Sequence, residues 1–343
     1  MSGRRKDPVA MLMRCGLSIA SLPYGAAVAL RNRRFDQGKN PAIDCDAVVI
    51  SVGNLTTGGT GKTPIVARLA KWFREHGIRV AIVSRGYGRG DADQNDEAAE
   101  LHQRLPDVPH VQDADRVNAA RIAVEELESQ LILMDDGFQH RRLARQLDLV
   151  LIDMTCPFGF GHLLPRGLLR EPVSSLRRAD AVVLTRCDQV DPAQIDDVTT
   201  AIQSAHPGIV IVHCNHRPSG LLRHPHEIVD VDELRGKRVA LVCGIGNPDA
   251  FRRTVQDVGA TVVAIKSLAD HAIYDRETMN AIREWIGGCD PVDVIVCTQK
   301  DLVKLQTDRI AGKPLVALTI DAEISDFDRL LPMLQQAADE SRK

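Results

Sequence analysis

The sequence predicts an α/β protein built from two α/β/α sandwich domains, and three observations support this fold class. Short apolar runs alternate with segments of helical periodicity, which is typical of a parallel, doubly wound sheet. The pattern breaks at Pro218, and strand-like runs resume at 239–244. An apolar stretch flanked by arginines precedes the first strand. We therefore expect an N-terminal interfacial helix (1–35), a nucleotide-binding sandwich domain (36–217), an extended linker (218–234) and a smaller C-terminal α/β domain (235–343).

The composition is that of a soluble globular protein, with 44% hydrophobic and 26% charged residues. Aromatic residues make up only 3%, so the core must be aliphatic. A net charge of −3 gives no reason to expect a nucleic-acid partner. The eight cysteines show no CxxC pair and no metal-ligand spacing with histidine, so nothing requires an oxidising compartment. No obligate protein partner is inferred.

The first 34 residues combine an apolar stretch (9–30) with basic clusters on both sides. Arg14 and Pro23 interrupt the roughly 20 apolar residues that a spanning helix needs. We favour an amphipathic helix at the membrane interface, with its arginines near anionic headgroups. A cleaved signal peptide ending near 27–29 and a core helix packed on the domain remain alternatives.

The segment 48–75 is the clearest motif of the chain. An apolar run (48–52) is followed by a Gly-rich loop, by Lys62 and Thr63, and by an amphipathic helix, which is the context of a P-loop. Backbone N–H groups wrap a phosphate only where no Cβ blocks the approach, and the helix N-terminus adds positive charge. Lys62 would reach the β- and γ-phosphates of ATP, and Thr63 would bind Mg²⁺. The predicted nucleotide-binding residues are Thr56, Thr57, Gly58, Gly59, Thr60, Gly61, Lys62 and Thr63.

The P-loop departs from the usual pattern because Thr56 replaces its first glycine, so a Gly-rich connection in another α/β protein is the alternative. Further on, the apolar run 131–134 ends in Asp135 and Asp136. A strand that ends in aspartate downstream of a P-loop has the form of a Walker B element, whose carboxylate holds Mg²⁺. A polar turn is the alternative, and which of the two carboxylates contacts the metal stays open.

Several motifs in order carry a resemblance to a known family. They are Ser51-Val52-Gly53-Asn54, the P-loop core 58–64, Ser84-Arg85-Gly86-Tyr87-Gly88, Asp135-Asp136-Gly137-Phe138-Gln139-His140, Leu169-Arg170-Glu171-Pro172, Cys243-Gly244-Ile245-Gly246-Asn247-Pro248 and Asp270-His271. With this set the chain resembles the tetraacyldisaccharide 4′-kinase family of lipid A synthesis, from the N-terminal helix to about Val303.

The resemblance implies a kinase that uses Mg-ATP to phosphorylate the 4′-hydroxyl of an acylated disaccharide lipid at the cytoplasmic face of the inner membrane. As a mechanism we expect in-line phosphoryl transfer, in which Arg170 neutralises charge on the transferring phosphoryl group. Thr63, one of Asp135 and Asp136, and Glu171 are the predicted Mg²⁺ ligands. The resemblance assigns Asp96 as the catalytic base and His271, from the second domain, as its helper. Lys62 is the third predicted catalytic residue. The active site of the family lies in the cleft between the two domains.

The chain departs from the family pattern around both predicted acid–base residues and in one loop. Asn95-Asp96-Glu97-Ala98 replaces Gly-Asp-Glu-Pro, Leu268-Ala269 replaces Phe-Pro, and the loop at 164–167 differs as well. For Asp96 the alternative is a solvated loop carboxylate. Two other functions remain open: a nucleotide-driven switch, because 185–188 loosely resembles a guanine-reading motif, and an ATP-dependent enzyme acting on a soluble small molecule.

Overall fold

The computed structural model describes residues 7–86, 96–269 and 272–343. The strands are β1 (Val48–Asn54), β2 (Val80–Ser84), β3 (His110–Gln112), β4 (Leu131–Asp135), β5 (Leu147–Asp153), β6 (Ala181–Thr185), β7 (Val210–Arg223), β8 (Glu227–Val229), β9 (Arg238–Cys243), β10 (Thr261–Ser267), β11 (Val294–Thr298), β12 (Arg309–Ile310) and β13 (Lys313–Ile324). The helices are α1 (Pro8–Asp36), α2 (Lys62–Glu75), α3 (Asp96–Arg104), α4 (Arg116–Glu125), α5 (Pro192–Ala205), α6 (Pro248–Asp257), α7 (Arg276–Gly287), α8 (Gln299–Leu305) and α9 (Leu331–Ser341).

The chain forms two compact units. Unit 1 comprises Met1–Arg85, Val108–Asn215 and Ile324–Lys343, and unit 2 comprises Gly86–Asp107 and His216–Glu323. In unit 1 the strand order is β7-β6-β5-β1-β4-β2-β3, and every neighbouring pair is parallel. Strands β1, β4, β5 and β6 are buried along their whole length, as expected for a parallel sheet covered on both faces. The predicted α/β fold with parallel strands is confirmed.

Unit 2 has its own sheet, in which β10, β9, β11 and β13 are adjacent and parallel. The later part of β7 lies next to β13 and pairs with β8 in an antiparallel hairpin. Helix α3 packs against α8 within this unit. Aliphatic side chains fill the core on both sides of the sheet, among them Val239, Leu241 and Val296 on one side and Ala240 and Ile295 on the other.

The observed division of the chain differs from the predicted one. Residues 86–107 belong to unit 2, and residues 324–343 return to unit 1. The predicted linker 218–234 is the β7–β8 hairpin and a short 3-10 turn, in which Leu221, Leu222 and Leu234 are buried. Its histidines and prolines made it resemble a linker, but burial of these leucines makes it part of the core.

Helix α1 begins at Pro8, where the Asp7 side chain caps it by accepting a hydrogen bond from the Ala10 N–H. By length and composition it could cross a membrane, and none of its most apolar window is buried in the described structure. Large apolar side chains at Leu12, Ile19 and Leu22 are about 70% exposed. This exposure disfavours the alternative of a core helix.

Candidate active site

The loop after β1 forms an open cradle of glycines. Gly58 and Gly61 have φ values of 108° and 79°, a region that favours glycine. A Cβ added at Gly58 or Gly59 would meet no heavy atom within 4 Å, so the backbone is accessible there. Gly61 precedes α2, and no side chain of the described chain caps this helix. The first N–H groups of α2 therefore point toward a position suited to an anion.

Side chains from neighbouring strands hold this loop in place. Asn54 Nδ2 donates to Thr60 Oγ1 at 3.1 Å, and Thr185 Oγ1 donates to the Thr60 carbonyl at 3.0 Å. Arg186 Nη2 donates to the Gly59 carbonyl at 3.1 Å. In the sequence, 185–188 was noted only for its loose resemblance to a guanine-reading motif. Thr185 ends β6 and Arg186 follows it, and β6 lies two strands from β1, so their position at a strand end was the available signal for a role beside the P-loop.

Two glycines join the ends of β1 and β4. A Cβ at Gly53 would lie 2.5 Å from the Cβ of Phe138, and a Cβ at Gly137 would lie 2.6 Å from Ser51 Oγ. These contacts pack the segment after β4 directly onto β1, because no other residue leaves enough space. The two motifs that flank the predicted site therefore depend on each other sterically.

Asp136 lies between two cations at the end of β4. Its Oδ1 is 3.4 Å from Lys62 Nζ, and its Oδ2 accepts a hydrogen bond from Arg170 Nη1 at 2.7 Å. Burial by itself raises the pKa of Asp136, but the charges and hydrogen bonds of Lys62 and Arg170 outweigh it and hold the pKa well below its usual range. Asp136 also has a left-handed backbone, with φ 55°. The structure thus brings three predicted site residues together.

The segment that carries Arg170 runs alongside the P-loop. The Thr57 N–H donates to the Leu168 carbonyl at 2.8 Å, and the Arg170 N–H donates to the Leu55 carbonyl at 2.7 Å. Arg170 is therefore fixed beside the P-loop by its backbone as well as by its side chain. The long loop at 158–172 thus lies beside the P-loop.

Glu171 does not fit its predicted role as a metal ligand. Its side chain is fully buried and accepts hydrogen bonds from Arg31 Nη2 at 2.6 Å, Asn32 Nδ2 at 2.9 Å and Arg178 Nη2 at 2.9 Å. Two of these donors lie on α1. The geometry contradicts the prediction that Glu171 binds Mg²⁺, because both carboxylate oxygens are already engaged by protein donors.

The remaining predicted metal ligands fit Mg²⁺ by their chemistry. Thr63 supplies a hydroxyl at the start of α2, and Asp135 and Asp136 supply carboxylates at the end of β4, which is next to β1. Mg²⁺ prefers such hard oxygen donors and commonly takes one or two carboxylates plus substrate phosphates. Within the described ranges no group of three or more His, Cys, Asp or Glu residues is placed to hold a metal ion.

Asp96 is a buried ion-pair partner in unit 2. It is the first residue of α3, and its side chain is only 6% exposed. Lys304 Nζ lies 2.7 Å and Lys300 Nζ 3.4 Å from its Oδ2. A solvated loop carboxylate is therefore excluded. Both lysines lie on α8, four residues apart, so the sequence indicated that they share one face of a helix but not that they pair with Asp96. His271, the predicted helper, lies outside the described residues.

A second buried carboxylate, Asp301, organises the neighbouring segments of unit 2. It accepts hydrogen bonds from the Gly244 N–H at 3.1 Å, from Tyr274 Oη at 2.8 Å and from Thr298 Oγ1 at 2.6 Å. Burial and then the charge of Asp301 raise the pKa of Tyr274 far above its usual value, so Tyr274 stays a donor. Asp301 thus fixes the backbone of the Cys-Gly-Ile-Gly-Asn-Pro motif by accepting a hydrogen bond from the N–H of Gly244, its second residue.

Comparisons with known proteins find relatives along most of the chain. The model of the tetraacyldisaccharide-1-P 4′-kinase family matches residues 13–339. A tetraacyldisaccharide 4′-kinase of Anaeromyxobacter dehalogenans is 39% identical over 93% of this chain and 89% of its own length, and one of Geobacter sulfurreducens is 36% identical over 93% and 92%. The crystal structure of LpxK from Aquifex aeolicus in complex with ATP superposes with a TM-score of 0.73 at 29% identity, covering 95% of this chain and 99% of that one.

Proposed function

Because the chain belongs to the tetraacyldisaccharide-1-P 4′-kinase family, we propose that it transfers the γ-phosphate of ATP to the 4′-hydroxyl of tetraacyldisaccharide 1-phosphate in lipid A biosynthesis. One observation carries the site assignment. Asp136 holds Lys62 and Arg170 side by side next to the glycine cradle. Two cations fixed at one point, beside accessible backbone N–H groups, suit a polyphosphate.

The nucleotide binds along residues 56–63. The backbone N–H groups of Gly58, Gly59 and Gly61 hold the phosphates, and Lys62 neutralises the β- and γ-phosphate oxygens. Arg170 stabilises negative charge on the phosphoryl group as it moves toward the acceptor. Since Asp136 orients both cations before the reaction, little reorganisation is needed when charge develops in the transition state.

Mg²⁺ would be held by Thr63, Asp135 and Asp136, and when bound it neutralises phosphate charge and aligns the phosphoryl group with the acceptor. Glu171 is left out of this set because its oxygens are occupied. Asp136 would have to contact Lys62 and Arg170 as well as the metal, and Asp135, the last residue of β4, would supply a second carboxylate.

Asp96 is the proposed general base for the 4′-hydroxyl. Its buried carboxylate is held in place by the ammonium groups of Lys300 and Lys304, and a positioned carboxylate is a common acceptor of a hydroxyl proton. His271 is proposed to hydrogen-bond or orient this carboxylate. We expect Asp96→Asn to lower kcat by about two decades or more with a small change in the KM for ATP, the size typical of a lost acid–base group.

Membrane attachment through α1 is the proposed means of reaching a lipid substrate. The exposed apolar residues Val9, Leu12, Ile19 and Leu22 support a position in the headgroup region, at the cytoplasmic face of the inner membrane where ATP is available. We expect purified protein to sediment with vesicles of anionic phospholipid. Replacing Leu12 and Ile19 by Gln should weaken that binding without changing the KM for ATP.

The deciding experiment is phosphate transfer by the purified full-length protein in mild detergent. The assay contains labelled ATP, Mg²⁺ and tetraacyldisaccharide 1-phosphate, and mass spectrometry identifies a product with one added phosphate. Lys62→Ala should reduce turnover by about two decades or more, and Lys71→Ala on the exposed face of α2 should not. Nucleotide hydrolysis without transfer, or a strong preference for GTP, would support the switch protein instead. Transfer to a soluble acceptor only would support a small-molecule enzyme.

A further inference from the structure

Helix α1 contacts the loop that carries Arg170 along most of that loop's length. Ser21 Oγ donates to the Leu163 carbonyl at 3.2 Å and accepts from the Arg166 N–H at 3.1 Å. One turn further on, a Cβ at Gly25 would lie 3.1 Å from Leu163 Cδ1, so the helix backbone and the loop are in close contact. This part of α1 is therefore a structural part of unit 1.

Two contacts hold the backbone of Arg170 from opposite sides. Its N–H donates to the Leu55 carbonyl at the end of β1, and its carbonyl accepts a hydrogen bond of 2.9 Å from Tyr24 Oη on α1. The Arg170 side chain then reaches Asp136. The position of this guanidinium consequently depends on α1 as well as on the P-loop.

The residue after Arg170 is tied to α1 by charge. Glu171 is completely buried, and Arg31 and Asn32 of α1 supply two of its three donors, while Arg178 supplies the third. A buried carboxylate is tolerated only when it is paired and hydrogen-bonded, so the helix and the loop are expected to move together.

The N-terminal half of α1 carries mainly exposed apolar side chains. The side chains of Val9, Met11, Leu12, Met13, Ile19 and Leu22 are between 57% and 76% exposed. One helix therefore carries an unburied apolar surface at its N-terminal end and the Arg170 contacts at its C-terminal end. Nothing in a simple membrane anchor requires buried polar contacts with the phosphate site.

We propose that Tyr24, Arg31 and Asn32 are positioning residues for Arg170, through which the lipid-facing helix sets the geometry of phosphoryl transfer. They act through the groups that they contact, which are Glu171 and the Arg170 backbone. Engagement of α1 with a lipid surface is thereby coupled to the rate of the chemical step, in addition to concentrating the enzyme at the membrane.

The test separates positioning from anchoring by comparing kcat with KM. Arg31→Met should lower kcat about 10- to 100-fold at saturating ATP, Mg²⁺ and lipid, because small displacements of a transition-state contact have effects of that size. Lys39→Met is the matched control, since Lys39 is an exposed cation just after α1 whose backbone N–H donates to the Arg34 carbonyl of the helix. Both variants should bind anionic phospholipid vesicles within about twofold of each other.

Rescue by a conservative change tests whether a cation paired with Glu171 is what supports kcat. Arg31→Lys should recover part of kcat, because an ammonium group still pairs with Glu171. If Arg31→Met does not fold, Tyr24→Phe decides the question, since it removes a single hydrogen bond to Arg170 and leaves no buried charge unpaired. It should lower kcat about fivefold, the factor that corresponds to about 1 kcal/mol, with a fall of no more than about 2–4 °C in unfolding temperature.

The inference rests on the proposed kinase function, and the two fail in different ways. Wild-type protein that transfers no phosphate to tetraacyldisaccharide 1-phosphate would remove the function. Wild-type transfer combined with full kcat in Arg31→Met and in Tyr24→Phe would overturn the inference alone. The inference would also be overturned if Arg31→Met changed only vesicle binding and the KM for lipid, and if Lys39→Met changed both to the same extent.

Discussion

Replacing Glu171 by Gln distinguishes a structural carboxylate from a metal ligand. The substitution keeps the size of the side chain but replaces one acceptor oxygen by a donor group. In the structure that group would face a donor from Arg31, Asn32 or Arg178. Loss of a metal ligand would destabilise only the Mg²⁺-bound protein. Loss of a structural carboxylate would destabilise the metal-free protein as well.

The size of the effect follows from how exposed each donor is. The Arg31 side chain is 41% exposed, so water screens its ion pair and the contact contributes less to stability than the two buried ones. Arg178 is 13% exposed and Asn32 is buried, so these two contacts dominate. Removing one partner of a buried pair costs about 3–5 kcal/mol, but glutamine retains one acceptor oxygen. We therefore expect Glu171→Gln to lower the free energy of unfolding by about 2–3 kcal/mol.

Thermal unfolding without nucleotide or Mg²⁺ measures this effect directly. A loss of this size corresponds to a fall of about 4–12 °C in unfolding temperature, on the scale found for domains of roughly 150–250 residues. Glu75→Gln, at the exposed end of α2, is the matched control and should leave the unfolding temperature unchanged.

One pair of results would refute the reasoning. If Glu171→Gln unfolds at the wild-type temperature and its half-saturating Mg²⁺ concentration rises about tenfold or more, Glu171 is a metal ligand after all, because the loss of a ligand weakens metal affinity by such factors. The buried contacts with Arg31, Asn32 and Arg178 would then contribute little to the fold.

Three further changes test other parts of the structure. Gly53→Ala should lower the unfolding temperature, because its Cβ would lie 2.5 Å from Phe138 Cβ and overpacking costs about 1–3 kcal/mol. Thr185→Val should raise the KM for ATP about fivefold with little change in kcat, since its hydrogen bond to the Thr60 carbonyl is lost. Burial and then neighbouring arginines lower the pKa of His140 to about 4. Protonation therefore favours the unfolded chain, and stability should fall as the pH drops from about 6.5 to about 4. His140→Gln should flatten that part of the pH profile of unfolding temperature.

Each of these three predictions has its own contradicting result. A Cβ at Gly16 meets no heavy atom within 4 Å, so Gly16→Ala should be neutral or slightly stabilising, and equal losses in both glycine variants would contradict the steric argument. An unchanged KM for ATP in Thr185→Val would mean that this hydroxyl does not hold the P-loop. An NMR titration midpoint of His140 near its ordinary value would contradict the electrostatic cause.

The parts of the site that the sequence predicted well are local ones. A P-loop is a strand, a glycine loop and a helix in immediate succession, so residues 48–75 contain all that is needed to infer it. The same holds for Asp135 and Asp136 at the end of a buried strand. In both cases one contiguous segment determines backbone conformation and chemistry, and the structure shows the elements as expected.

Contacts between distant segments account for what the sequence missed. Glu171 looked like a possible metal ligand beside Arg170, yet Arg31 and Asn32, about 140 positions earlier, occupy its oxygens. Asp96 looked like a loop residue, yet Lys300 and Lys304 pair with it from about 200 positions further along. Whether a carboxylate binds a metal, a cation or water depends on which groups tertiary packing brings near it.

The sequence by itself determined the α/β class, the P-loop, the two aspartates after β4 and the apolar helix at the N-terminus, because each depends on periodicity or on neighbouring residues. Only the tertiary structure decided the limits of the two units, the partners of Glu171 and Asp96, and the attachment of α1 to the Arg170 loop. The physical reason is that burial and ion pairing are properties of a place in the fold, and residues far apart in the chain create that place together.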